Sequence, residues 1–440
     1  MRRGGAGRVW EAILHGPGGF AKRVALKVLD DGGDGLVEEA CLGGLLRHVN
    51  LGMVLLLGWA LLSCAWAPNP MHVISQASAI IGASLIGVSF CLTGWHPDRF
   101  IGLLSAVLTT ILIASLIAGL AFPEFAIHSE TSVSLAGAWR GVTYQKNGLG
   151  QVAAIAVMVW TYRWAARDCS GRVATLGVAL AILMLVLSRS STSLMLALLA
   201  SMAIIIMLRP VLSIGWLGRR SVFLAIVVLV PLSVYLAVAT SFFGWVGNLF
   251  GKDGTFSGRT LIWDEIYLEI AKHPFLGIGY ASFWGDYDSP SATLMVKLQW
   301  AVPSAHNGYL EIVNELGLIG LAFFIAFLVI HAIALGRLAR FDHQRFALYM
   351  PLFLYLILAN VSESGWMRPV DLTHLVGMYT SLEVSRLLLA RDLYLNSLSR
   401  AIGEIRPESP ARPPPPVKPL AGPRPSRPLL PGGAPGGDGR

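Results

Sequence analysis

Charged residues are scarce in this chain. Only 14% of its 440 residues are Asp, Glu, Lys or Arg, against 54% hydrophobic, and the mean hydropathy is +0.61. A soluble domain carries about 25% charged residues, so this balance excludes an ordinary water-soluble protein and points to a polytopic membrane protein. Cysteine is scarce too. Cys41, Cys64, Cys91 and Cys169 show no metal-ligand spacing, which argues against a disulfide framework or a zinc site. No cleavable signal peptide is expected, because the first apolar run follows about fifty mixed residues.

Long apolar runs are what the chain has in their place. They occur at 51–66, 72–94, 101–122, 148–165, 173–188, 193–208, 221–241, 308–335 and 345–361, with a weaker one at 374–390 interrupted by Glu383 and Arg386. Runs of this length are membrane-span candidates. The fold expected is therefore an all-α polytopic membrane protein of about 10 transmembrane helices. With a cytoplasmic N-terminus, 26 of the 34 Lys and Arg residues fall on the cytoplasmic side, leaving Arg140, Lys146, Arg189, Lys252, Arg259, Lys272, Lys297 and Arg368 outside. This asymmetry follows the positive-inside rule. It makes the net charge of +8 an orientation signal rather than a sign of nucleic acid, with both termini cytoplasmic.

Three regions are expected: a mixed, Gly-rich segment 1–50, a membrane domain 51–392, and a Pro-rich tail 403–440 whose composition predicts disorder. The largest extracytoplasmic loop, 242–307, is too long to be a plain connection. Within it "GRTLIWDEIYLEIAKHPFLGIGY" places Leu261, Ile262, Ile266, Leu268 and Ile270 at near-helical spacing, ended by His273-Pro274. This predicts a helix at the outer membrane surface.

Polar residues cluster on that side. "WRGVTYQKNGLG" carries Arg140, Lys146 and Asn147, "SGRTLIW" carries Arg259, and "SAHNGYLE" carries His306 and Asn307 at the head of the eighth span. Arg presents a planar fork that fits phosphate oxygens, and His306 can accept a proton near neutral pH. Trp139, Trp263 and Trp300 suit the headgroup level. Each residue alone has a plainer role: Arg140 or Lys146 as an interfacial snorkeler, His306 as a cap, and Glu311 and Glu315 as a polar stripe facing the bundle interior. Their convergence on one face favours a site for an anionic lipid headgroup.

In order, "WRGVTYQKNGLG", "GRTLIWDEIYLEIAKHPFLGIGYASF" and "HNGYLEIVNELGLIGL" resemble the O-antigen ligase and polysaccharide polymerase superfamily, as do "SRSSTSL" and "NVSESG". The "KN" pair after "RG" is similar to the exopolysaccharide polymerase branch, and the resemblance spans 51–390. It implies glycosyl transfer at the outer face of a bacterial cytoplasmic (inner) membrane, without metal, cofactor or nucleotide sugar. The donor would be an undecaprenyl diphosphate-linked oligosaccharide, with membrane lipid and polysaccharide assembly and export proteins as partners. On this resemblance Arg140 and Arg259 hold the diphosphate, His306 takes or orients the acceptor proton, and Lys146, Asn147, Asn307 and Glu363 contact substrate. "DYD" at Asp286–Asp288 matches the DxD of metal-dependent glycosyltransferases only superficially, since this loop should not meet nucleotide sugars.

Residues 1–50 read differently. "RRGGAGRVWEA", "VALKVL" and "EEACLGGLLRHVN" resemble the opening of a Ser/Thr protein kinase, with Gly4 and Gly7 in the Gly-rich loop, Lys27 on the strand and Glu39 on the helix. Arg2 stands where the first loop Gly belongs, and no catalytic "HRD" or metal-binding "DFG" follows. Phosphoryl transfer needs both, so the segment is expected to be an inactive kinase-like remnant. The leading expectation is a polymerase of lipid-linked repeat units. The alternatives are a ligase that moves a finished glycan to lipid A core or another acceptor, a lipid-linked sugar transporter, which predicts internal repeats and broken helices, and an inactive chimera.

Overall fold

The computed structural model describes residues 8–15, 21–28, 49–92, 98–129, 135–209, 259–284, 289–298 and 302–404. The expected span at 221–241, Gly4, Gly7, Glu39, Trp300, the "DYD" motif and residues 405–440 lie outside them. The chain divides into a unit Met1–Arg391 and a unit Asp392–Arg440. At the N-terminus β1 (Arg8–His15) and β2 (Ala21–Val28) form an antiparallel hairpin in which Lys27 pairs with Val9. The remaining regular structure among the described residues is helical.

The helices of eight residues or more are α1 (Leu51–Leu62), α2 (Pro70–Leu92), α3 (Arg99–Ala121), α4 (Lys146–Ala166), α5 (Gly171–Leu187) and α6 (Ser191–Leu208). They continue with α7 (Arg259–Lys272), α8 (Ser291–Leu298), α9 (Gly308–Leu338), α10 (His343–Ala359) and α11 (Leu372–Glu404). Each apolar run that falls on described residues is helical. Four helices among the described residues are long and apolar enough to cross a membrane: Pro70–Cys91, Arg99–Ala121, Ser191–Leu208 and Gly308–Leu338. Two shorter apolar helices, Leu51–Ala65 and Gly171–Leu187, also occur among the described residues. α11 continues through Glu404.

Local chemistry sets the ends. Asn69 accepts the His72 N–H at 3.1 Å with Pro70 opening α2, a pairing of N-cap and first-turn proline that suits a helix start. α4 is buried on every side from Leu149 to Tyr162, as an apolar helix without a polar face must be. Around it pack α3, α5, α6 and α10. At the end of the bundle where α4 finishes and α10 begins, Arg345 bridges Asp342 and Asp98, the latter at 2.6 Å.

α9 is broken. Gly317 has φ +68° and ψ −171°, so the helical ladder fails there and its groups need other partners. The segment after α7 supplies them. Ile278 and Gly279 N–H donate to Asn314 O and Glu315 O at 3.0 and 2.9 Å, while Leu318 and Ile319 N–H donate to Pro274 O and Phe275 O at 2.9 and 3.3 Å. Trp59 Nε1 donates to Leu316 O at 3.0 Å. The segment fits because residue 317 has no side chain: a Cβ there would stand 2.2 Å from Phe275 O.

Gly317→Ala is therefore expected to destabilise the purified protein by about 1–3 kcal/mol or more, seen as a lower thermal unfolding midpoint. Gly336→Ala, in the same helix with nothing within 4 Å of the added carbon, should be neutral or stabilising by up to about 1 kcal/mol.

Candidate functional site

The starts of α4, α7 and α9 meet the turn that follows α10. That turn is built on Asn360, which is fully buried. Its Oδ1 accepts the Gly365 and Trp366 N–H groups at 2.8 and 3.0 Å, and its Nδ2 donates to Leu356 O at 2.8 Å. Gly308 N–H, at the first residue of α9, donates to both Asn360 O and Glu363 O at 2.9 Å. Asn307 N–H donates to Ser364 Oγ at 3.0 Å. The start of α9 is thereby fixed to the 360–366 turn.

Glu363 stands at the centre. Its Oε1 accepts from Asn147 Nδ2 at 2.7 Å and from Arg259 Nη2 at 3.1 Å. Its Oε2 lies 3.5 Å from His306 Nδ1, a ring nitrogen buried without a hydrogen bond. Asn147 is the second residue of α4, Arg259 the first of α7, and His306 lies two before α9. Three helix N-termini, each a partial positive charge, thus share one carboxylate with a guanidinium and an imidazole. Such a place receives anions readily.

The structure brings together Asn147, Arg259, His306 and Glu363 from the residues singled out in the sequence. Arg140 does not join them. Its Nε donates to Phe125 O at 2.7 Å and its guanidinium lies 5.8 Å from the centroid of the Phe125 ring, because the chain folds back on residues 126–128 before α4. Lys146 opens α4 and its backbone N–H donates to His128 Nε2 at 3.3 Å. Asn307 is the N-cap of α9, with Oδ1 accepting the Tyr309 and Leu310 N–H groups. Glu311 and Glu315 bond the segment leading to the site rather than lining the bundle interior. Glu315 Oε2 accepts the Ala281 N–H at 2.9 Å, and Glu311 accepts from Trp284 Nε1 and the Ala305 N–H.

Backbone strain marks His306 and two further residues. His306 and Arg189 have φ +51°, and Met367 has φ +61°; in non-glycine residues this conformation persists only where the surroundings over-determine it, and it clusters at functional sites. Arg189 is exposed, and its Nη1 donates to Ala136 O at 2.7 Å. Met367 is held at both ends: Tyr280 Oη donates to its carbonyl at 2.5 Å, and its N–H donates to His374 Nδ1 at 3.4 Å. Burial pushes the Tyr280 phenol far above its ordinary pKa, so it remains a donor at any physiological pH. A left-handed Met leaves no trace in composition or periodicity, which is why the sequence does not expose this turn.

Part of this chain is similar to known proteins. Residues 176–325 match the family described as O-Antigen ligase, which takes in Arg189, Arg259, His306 and Asn307. The resemblance of this membrane region to the O-antigen ligase and polysaccharide polymerase superfamily is thus supported. A stretch of 92 residues is 37% identical to the Exopolysaccharide production protein ExoQ of Rhizobium meliloti (strain 1021), covering 19% of this chain and 21% of that protein. The chain spans about a fifth of the length of that curated relative. Asn147 and Glu363 lie outside the family match, and the geometry joins them to Arg259 and His306.

Tyr280→Phe removes the donor from the Met367 carbonyl. A buried carbonyl left bare costs about 1–3 kcal/mol, so the unfolding midpoint should fall and amide exchange of the 365–368 turn should accelerate.

Proposed function

We propose that this chain is a membrane glycosyltransferase that extends undecaprenyl diphosphate-linked repeat units into exopolysaccharide at the outer face of the cytoplasmic membrane. The observation that carries the reading is the shared carboxylate: Glu363 faces His306 Nδ1 on one oxygen and holds Arg259 and Asn147 on the other. With Nδ1 turned to Glu363, the opposite ring nitrogen is left for substrate, as in other sites where a carboxylate orients a histidine base.

The acceptor sugar hydroxyl attacks the anomeric carbon of the donor glycan. A new glycosidic C–O bond forms as the bond from that carbon to the diphosphate oxygen breaks, and the leaving diphosphate keeps the electron pair. His306 takes the hydroxyl proton, and Glu363 stabilises the imidazolium that results. Arg259 neutralises charge as it develops on the leaving diphosphate, assisted by the N-termini of α4 and α7.

The family description favours a second reading, in which the same cluster moves a finished glycan to an acceptor such as lipid A core; ExoQ, named for exopolysaccharide production, favours the first. The break in α9 supports neither reading against a transporter by itself. Its backbone groups are bonded to the 274–279 segment rather than turned to a substrate path.

Purified protein in lipid, given an undecaprenyl diphosphate-linked repeat unit without metal or nucleotide, should build a ladder of longer lipid-linked glycans. His306→Ala should reduce its rate about 10²–10⁴-fold, and Arg259→Ala about 10²–10³-fold. Product only on addition of a second acceptor establishes the ligase reading; no transfer to any acceptor defeats both.

A further inference from the structure

Glu311 stands on the first turn of α9, buried, and does not touch the imidazole of His306. It acts on the backbone that carries that imidazole. Its Oε1 accepts the Ala305 N–H at 2.7 Å and its Oε2 accepts the Trp284 indole N–H at 2.6 Å. Arg368 Nη2 lies 3.4 Å from the same Oε1 and also donates to Pro303 O at 3.4 Å. In a capping box the third helical residue reaches back to the N–H of the N-cap. Here the fourth helical residue reaches back two positions beyond the cap, Asn307, and so closes a loop around residue 306.

His306 sits between two residues whose backbone is fixed, with Ala305 O also accepting the Trp263 indole N–H at 2.8 Å. On one side the Ala305 N–H is held by Glu311, and on the other the Asn307 N–H is held by Ser364 Oγ. Those restraints keep a non-glycine residue at φ +51°, a conformation it abandons when released. A buried carboxylate that accepted no bonds would be costly; this one has both oxygens engaged in holding the 303–305 backbone and the Trp284 ring.

We infer that Glu311 is a positioning residue for His306, a clamp that sets where the imidazole points. This rests on the reading of His306 as the proton acceptor. A clamp of this kind affects the rate of the chemical step more than substrate binding, since displacement of a reacting group by about 1 Å costs on the order of 100-fold in rate.

The test uses the full chain in lipid, with ¹⁵N-labelled histidine and the His306 ring signals assigned by difference from His306→Ala. Glu311→Ala should shift the His306 signals and lower kcat about 100-fold, with KM within about 3-fold. Glu311→Gln, which keeps one acceptor oxygen, should be intermediate in both readouts. Should Glu311→Ala fail to insert, Glu311→Gln decides: displaced ring signals support the clamp. Wild-type His306 signals in a folded variant, or a rise in KM with kcat unchanged, overturn it. The ring signals are read whether or not the protein transfers glycan, so failure of the transfer reading is seen separately in the wild type.

Discussion

One shared carboxylate sets the geometry of the candidate site. Glu363 is only 18% exposed, and a carboxylate so placed must be compensated by charge and hydrogen bonds. Arg259 and Asn147 provide that compensation on one oxygen, and His306 stands near the other. Four segments far apart in sequence are therefore held to one point. The turn that presents Glu363 is in turn fixed from within by Asn360 and from outside by the start of α9. Loss of the carboxylate would remove the acceptor that Arg259 and Asn147 share.

A second constraint operates deeper in the bundle. Backbone groups at membrane depth must find partners inside the protein, so a helix can break there only if another segment supplies them. The 274–279 segment does this at Gly317, with Trp59 on the Leu316 carbonyl. The N-terminal part of α9 is thereby tied to the same segment that α7 leads into. Glu311 and Glu315 lie on that part of α9 and bond loop backbone at Ala305 and Ala281. The two carboxylates near the head of an apolar helix thus have a structural explanation: they fasten the loops that frame the site.

Much of this was legible in the sequence, for identifiable reasons. Apolar runs locate α1 to α6, α9 and α10 because a bundle buried in hydrocarbon leaves no room for polar interruptions, and the spacing of Leu261, Ile262 and Ile266 locates α7. The motif residues Arg259, His306, Asn147 and Glu363 were legible as candidates, but their order of importance was not. Glu363 stands out only once residues 147, 259 and 306 are seen around it. Arg140 stands apart from this group because position in the loop before a helix does not reveal which way a long side chain turns, and Phe125 O takes its Nε. The break in "ELGLIGL" was hidden because an apolar run with two glycines reads as continuous helix until the segment that replaces its ladder is known.

In the proposed reaction Arg259 would meet charge on the leaving diphosphate and His306 would accept the proton, with Glu363 standing between the two. The measurement that tests this reading most directly is a double-mutant cycle on the transfer rate with His306→Ala and Glu363→Ala. If the carboxylate acts through the imidazole, the double variant loses little more than His306→Ala alone, as groups that act together do. Fully additive losses would show that Glu363 acts independently of His306 and would contradict the account.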